Sequence, residues 1–145
     1  MSKIKIVLEP GAKAPKRSTN GAAGWDLFNN LSFPMYLAPG HMVNIPTGVR
    51  VQLPKGYYWD VRIRSGLSTK HGIMMLNGCG VVDEDYTGIV HIPIFNQSDK
   101  TYYLEPGEKI GQALLIKYET QDFDLVEQLE ETERGENGFG STGRD

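Results

Sequence analysis

Hydrophobic and polar positions alternate through much of this chain. Val49, Val51 and Leu53 alternate with Arg50 and Gln52; Tyr57, Trp59, Val61 and Ile63 then share one face, with Asp60 and Arg62 on the other. A period of two is the signature of a half-buried β-strand. Pro54-Lys55-Gly56 supplies the turn between these two runs. Further strands are expected at Ile4 to Leu8, closed by Pro10-Gly11, near Met42 to Ile45, and from about Ile110 to Tyr118. Ile89 to Phe95 is apolar at alternate and intervening positions alike, which predicts a strand covered on both faces. Only Ser65 to His71, stopped by Gly72, predicts a helical turn.

Turn signals recur at the short spacing of an all-β barrel or sandwich, and no long helical periodicity, internal repeat or linker interrupts them. A chain of 145 residues suits one such domain and can bury roughly 70% of its unfolded surface. The net charge of −3 offers no basic footprint for duplex nucleic acid, although a nucleotide needs only a local positive cluster. Cys79 is the single cysteine, so no internal disulfide can form, which points to a reducing cytoplasm. Beside Gly78 and Gly80 it is expected as a small buried filler. The first residues lack the pattern of a signal peptide, and no apolar run approaches the ~20 residues of a membrane span.

The stretch from Asn77 to Val90 carries the densest chemistry. Short apolar runs flank a turn containing Asp83, Asp85, Tyr86 and Gly88, a pattern expected of a β-hairpin. A carboxylate and a phenol on a rigid turn can offer a general base and an aromatic platform to a small ligand. An acidic surface turn accounts for the stretch equally well on its own. A calcium loop does not, because Ile94 stands where the bidentate Glu would be required.

Two other segments could hold an anion. In Arg64-Ser65-Gly66-Leu67-Ser68 a strand ends in Arg and Ser, where the amides opening a helical turn can face a phosphate. The ordinary alternative is Ser65 as a helix cap beside a solvated Arg64. Gln112 is a neutral donor on an otherwise apolar strand. From residue 130 the chain changes character: Phe139 is its only large apolar residue, and Gly135, Gly138, Gly140 and Gly143 lie within nine positions. Such a segment cannot fold alone, and a mobile terminus is the usual outcome. Its matches to a dinucleotide fingerprint and to a Walker A loop fail, since no helix can follow so near the end. Gly, Ser and Thr amides and hydroxyls there can still line a phosphate, with Arg134 as a guanidinium fork and Phe139 to close over a base.

Together these segments resemble the homotrimeric dUTP pyrophosphatase (dUTPase) family in order and spacing. The resemblance runs through Ala23-Gly24-Trp25-Asp26-Leu27, Arg64-Ser65-Gly66-Leu67 and Gly80-Val-Val-Asp83-Glu-Asp85-Tyr86-Thr-Gly88. It continues in Gly107-Glu-Lys-Ile-Gly-Gln112 and Arg134-Gly-Glu-Asn-Gly-Phe139-Gly-Ser-Thr-Gly143. It implies a jelly-roll-like β-barrel spanning 1–129 and a flexible arm at 130–145 that closes over the site. It further implies a homotrimer with sites shared between chains, no contact with nucleic acid or membrane, and magnesium-assisted hydrolysis of dUTP to dUMP and pyrophosphate.

By the same resemblance, Asp83 orients and deprotonates the water that attacks the α-phosphorus. Tyr86 packs on the deoxyribose, and Asn77 reads uracil with the backbone of Gly80 and Val81. Arg64, Ser65, Gly66 and Gln112 hold phosphates, while Asp26 organises the metal's water shell. Arg134 binds the γ-phosphate, Phe139 covers uracil, and Gly140, Ser141 and Thr142 complete the phosphate contacts. Four positions depart from the family pattern. Trp25 replaces a Tyr or similar residue, Ile63 a Pro, Gly111 an Ala and Asn137 a Gly, and none of these removes a reacting group. A dCTP deaminase would need a Glu base and a further Arg near the second motif, and Arg64-Ser-Gly-Leu-Ser-Thr-Lys-His-Gly72 has neither. A dUTP-binding regulator would show nucleotide affinity without turnover.

Overall fold

The computed structural model describes residues 3–138. In chain order these form β1 (Lys5–Leu8), β2 (Trp25–Phe28), β3 (Met35–Leu37), β4 (Met42–Gln52) and β5 (Tyr57–Ile63). Next come α1 (Ser65–His71), β6 (Ile73–Met75), β7 (Gly80–Val82), β8 (Ile89–Asn96), β9 (Tyr102–Leu104) and β10 (Lys109–Lys117). One four-stranded sheet has the order β1-β4-β8-β6 and the other β2-β10-β5-β7, with β3-β9 as a small third sheet. The strand pairs among the described residues are antiparallel. The all-β, jelly-roll expectation holds, as separate sheets sharing a core rather than one closed ring. No helix among the described residues is long and apolar enough to cross a membrane.

Alternation places the core. Ile45, Val49 and Val51 of β4 and Val90, Ile92 and Ile94 of β8 meet Trp59 and Val61 of β5 and Ile110 and Ala113 of β10 in one buried cluster. Each large aliphatic side chain so buried contributes about 1.5–3 kcal/mol. Trp59 is 2% exposed, and its Nε1 has no hydrogen-bond partner among the described residues.

Several expectations need correction. The runs at Met42 to Ile45 and Val49 to Leu53 belong to one strand, β4, whose pairing with β8 shifts between Pro46 and Arg50. Pro46 cannot donate to a ladder and Gly48 has φ 67°, so the middle reads as a turn in sequence. The Thr47 hydroxyl bridges this irregularity, donating to the Val90 carbonyl at 2.7 Å and accepting from the Val49 amide at 3.1 Å. Strand β8 is fully covered on one face and only partly on the other in the single chain: Val90, Ile92 and Ile94 are buried, while His91 is exposed and Ile89, Pro93 and Phe95 are half-buried. Strands β3 and β9 were not anticipated, because three residues are too few to show a period.

The hairpin expected around Asp83 is not one. β7 pairs with β5, whereas β8 pairs with β4 and β6, so residues 83–88 cross from one sheet to the other. Alternation shows that a strand is present but not which neighbour it takes. Cys79 is exposed rather than buried. Gly78, at φ 71°, carries the chain through a turn that leaves the thiol outside. Among the described residues no helix or strand follows Lys117, and residues 119–137 are exposed throughout.

Candidate active site

Strand β7 fixes the first group of site residues. Val61 pairs with Gly80, Asp60 with Val81 and Trp59 with Val82. A Cβ at Gly80 would lie 3.0 Å from the Met75 methyl and 3.4 Å from Val61, so the bare backbone lets β7 settle against β5 and β6. Beyond β7 the Tyr86 amide donates to the Asp83 carbonyl at 3.2 Å, closing a tight turn. The Tyr86 hydroxyl donates to the Ile89 carbonyl at 3.0 Å, and its ring lies across Gly88, where a Cβ would come within 2.5 Å of that hydroxyl. Gly88 is therefore required by the aromatic ring beside it. The Glu84 carboxylate accepts from the Gly56 amide, and Arg50 Nε donates to the Thr87 carbonyl at 2.9 Å. Asp83 and Tyr86 are exposed on a turn held at both ends.

A cavity of about 380 Å³ opens beside this turn. Asn77, Gly80, Val81, Asp83 and Tyr86 all line it, so five residues singled out in sequence converge on one space. Asn44 and His91 line it as well and were missed. Their only signal was a polar position in an apolar strand, which does not distinguish a ligand contact from a solvated face. A larger, mainly apolar cavity of about 620 Å³ beside Ile6, Trp25 and Trp59 contains none of the expected site residues.

The second group sits on the other end of the β2-β10-β5 sheet. Gln112 pairs with Asp26 on one side and Arg62 on the other, so the three side chains share a face. Asp26 Oδ2 accepts from Ser18 at 2.5 Å and pairs with Lys109 Nζ at 2.7 Å. Burial alone would raise the Asp26 pKa, but the hydrogen bonds from Lys109 and Ser18 and the nearby charges of Lys109 and Arg64 hold it below its ordinary value. Arg64, not Ser65, occupies the cap position of α1, and no side chain caps the helix. The amides that open α1 are thus left for an anion or water. The Gln112 side chain makes no hydrogen bond to any described residue, unlike the backbone-paired amide that such a position usually holds.

The two groups are not one pocket in the single chain. None of Asp26, Arg64, Ser65, Gly66 and Gln112 lines the cavity formed by Asp83 and Tyr86. Arg134 turns back on its own segment, its Nε donating to the Asn137 carbonyl at 2.9 Å. Phe139, Gly140, Ser141 and Thr142 lie outside the described residues.

The family model described as dUTPase matches residues 11–143. This chain belongs to the dUTPase family. Among curated relatives, the deoxyuridine 5'-triphosphate nucleotidohydrolase of Fusobacterium nucleatum subsp. nucleatum is 45% identical over 141 residues, covering 97% of each chain. That of Orientia tsutsugamushi strain Boryong is 42% identical over 143 residues, again covering 97% of each. Among solved structures, the Staphylococcus bacteriophage 80alpha dUTPase with dUpNHpp matches with a TM-score of 0.90 at 28% identity, covering 99% of this chain and 100% of that one. A variant dUTPase from phage phi11 of S. aureus, described with a structural Mg(II) ion, matches with a TM-score of 0.78 at 25% identity, covering 88% and 98%.

One departure from the dUTPase pattern has a structural reason. A Cβ at Gly111 would lie 2.7 Å from the Arg62 carbonyl oxygen and 2.7 Å from Ile92 Cδ1, so glycine there accommodates a close β5–β10 approach and a large core residue. As for a metal, no cluster of three or more His, Cys, Asp or Glu side chains exists among the described residues. One carboxylate, Asp26, with no hydrogen bond to its Oδ1 from a described residue, suits a magnesium carried chiefly by substrate phosphates.

Proposed function

We propose that this dUTP diphosphatase hydrolyses dUTP to dUMP and pyrophosphate by water attack on the α-phosphorus, with residues 1–129 as the catalytic core and 130–145 as a closing arm. The observation that carries the reading is the convergence of Asp83, Tyr86 and Asn77 on one nucleoside-sized cavity, beside backbone from Gly80 and Val81. Asp83, exposed at the mouth, accepts the proton of the attacking water. Tyr86 presents its ring to the deoxyribose and leaves no room for a 2′-hydroxyl, and Asn77 with the β7 backbone pairs with uracil. Arg64, Ser65, Gly66 and Gln112 hold the phosphates, the first three through a guanidinium and the uncapped opening of α1. Arg134 takes the γ-phosphate, Phe139 covers the base, and Gly140, Ser141 and Thr142 add phosphate contacts.

Magnesium on the triphosphate, near Asp26, would neutralise phosphate charge as it shifts toward the leaving group. Phosphoryl transfer asks mainly for positioning and charge stabilisation, which these residues supply. Because the Asp83 group and the Arg64 group face different spaces in one chain, we infer that a homotrimer completes each site from neighbouring chains. The products suit a cytoplasmic enzyme that keeps uracil out of DNA and supplies dUMP for dTMP synthesis. The test is pyrophosphate release from dUTP, UTP, dTTP and dCTP in parallel with magnesium. Turnover of dUTP well above the other three is expected, and equal turnover of UTP would refute the role given to the cavity.

A further inference from the structure

We propose that Glu84 is a positioning residue, tying the Asp83 turn to the β4–β5 turn and so setting where Asp83 and Tyr86 stand. This rests on the reading of those two residues as base and sugar platform. Along the turn Asp83 and Asp85 are exposed, while Glu84 between them is half-buried and points inward. Its carboxylate accepts from the amide of Gly56, a glycine at φ 80° in the turn that the Tyr57 amide closes onto the Pro54 carbonyl at 3.1 Å.

The same small region receives the end of β10. The Gly56 carbonyl accepts from the Tyr118 amide at 3.0 Å, and the Tyr118 ring stands edge-on to Tyr58 with centroids 6.2 Å apart. The pKa of the Tyr118 phenol is raised, first by burial and then by the Glu84 carboxylate. The Glu84 carboxylate thus meets an amide that donates to no other described group, in the turn that also holds the end of β10.

The need for such a tie comes from topology. β7 is three residues long and lies at the edge of its sheet, with β5 as its neighbour. A short edge strand only weakly restrains the turn next to it. On the exit side Arg50 anchors Thr87 and the Tyr86 hydroxyl bonds Ile89; between β7 and Tyr86, the bond that Glu84 accepts is the one among the described residues that leads out of the turn to another element. Asp83 is its immediate neighbour, and a shift of about 1 Å in a catalytic group can cost ~10²-fold in rate.

The experiment compares wild type, Asp83→Asn, Glu84→Ala, Glu84→Asp and Glu84→Gln in dUTP hydrolysis, with melting temperature and exchange of the Gly56 amide measured on each. Glu84→Ala should lower kcat by roughly 10-fold or more while KM stays within about 3-fold, since the tie sets the base rather than the binding surface. Glu84→Gln keeps an acceptor at the same reach and should restore kcat to within about 3-fold of wild type. Glu84→Asp keeps the charge but falls a methylene short, so it should lose kcat and speed Gly56 exchange without a lower melting temperature. This last variant decides the matter if Glu84→Ala does not fold. Full kcat in a folded Glu84→Asp or Glu84→Ala, or unchanged Gly56 exchange in either, overturns the tie. A folded Glu84→Gln as slow as Glu84→Ala shows that charge rather than the tie is at work, and overturns it too. A wild type without turnover sinks the proposed reaction instead, while Gly56 exchange still reports on the tie.

Discussion

Asp83 and Tyr86 stand on the same turn, and single substitutions separate the different roles proposed for them. Asp83→Asn keeps shape and removes the base, so kcat should fall by roughly 10²-fold or more while nucleotide still binds. Steady-state kinetics with a binding titration checks this, and near-normal turnover would dismiss the base. Tyr86→Ala should raise UTP turnover relative to dUTP, because the wall against the 2′-hydroxyl is gone; an equal loss for both would make Tyr86 a support of the turn. Asp26 offers a pH test. Burial pushes its folded-state pKa up, but the bonds from Lys109 and Ser18 outweigh that and leave it below the ordinary 3.8. The stability it contributes is therefore present above that ordinary value and is lost as pH falls through the lower folded one. Melting temperature should drop below about pH 4 more steeply in wild type than in Asp26→Asn, and parallel curves would mean that the pair contributes nothing.

At the scale of elements, the β5–β10 contact is the joint on which the proposed phosphate side depends, since Arg64 comes directly after β5 and Gln112 lies on β10. Gly111 permits that contact, with 2.7 Å between its hypothetical Cβ and the Arg62 carbonyl oxygen. Gly111→Ala should destabilise the fold by about 1–3 kcal/mol, as overpacking does. Adding Ile92→Val removes one of the two clashing groups and should recover part of that loss in denaturant unfolding. No recovery would place the whole cost on the backbone of β5.

For the whole molecule, the question is whether one site draws on several chains. Asp83→Asn and a chain truncated after Glu133 should each be nearly inactive alone. Unfolded together in equal amounts and refolded as trimers, about three quarters of the assemblies are mixed and each has one complete site, so about one quarter of wild-type activity per chain should return. Mass measurement must first confirm mixed trimers. Once they are present, silence means that the arm serves its own chain's Asp83 and the shared site is wrong.

The strands β5 and β10, the helix at Ser65–His71 and the candidacy of Asn77, Gly80, Asp83 and Tyr86 were legible in the sequence, because alternation, turn residues and motif spacing are local properties. The illegible part is long-range. Whether Val82 and Ile89 pair with each other or with β5 and β4 depends on which sheet each strand joins, and a period of two is identical in both cases. The unity of β4 through Pro46 and Gly48 needed a partner strand and the Thr47 hydroxyl to carry the ladder across. Asn44 and His91 reach the cavity only because β4 and β8 lie side by side along its edge. The sequence determined which residues could do the chemistry, since side-chain identity is local; the tertiary structure alone decided which of them face one space, since that depends on strand partners far apart along the chain.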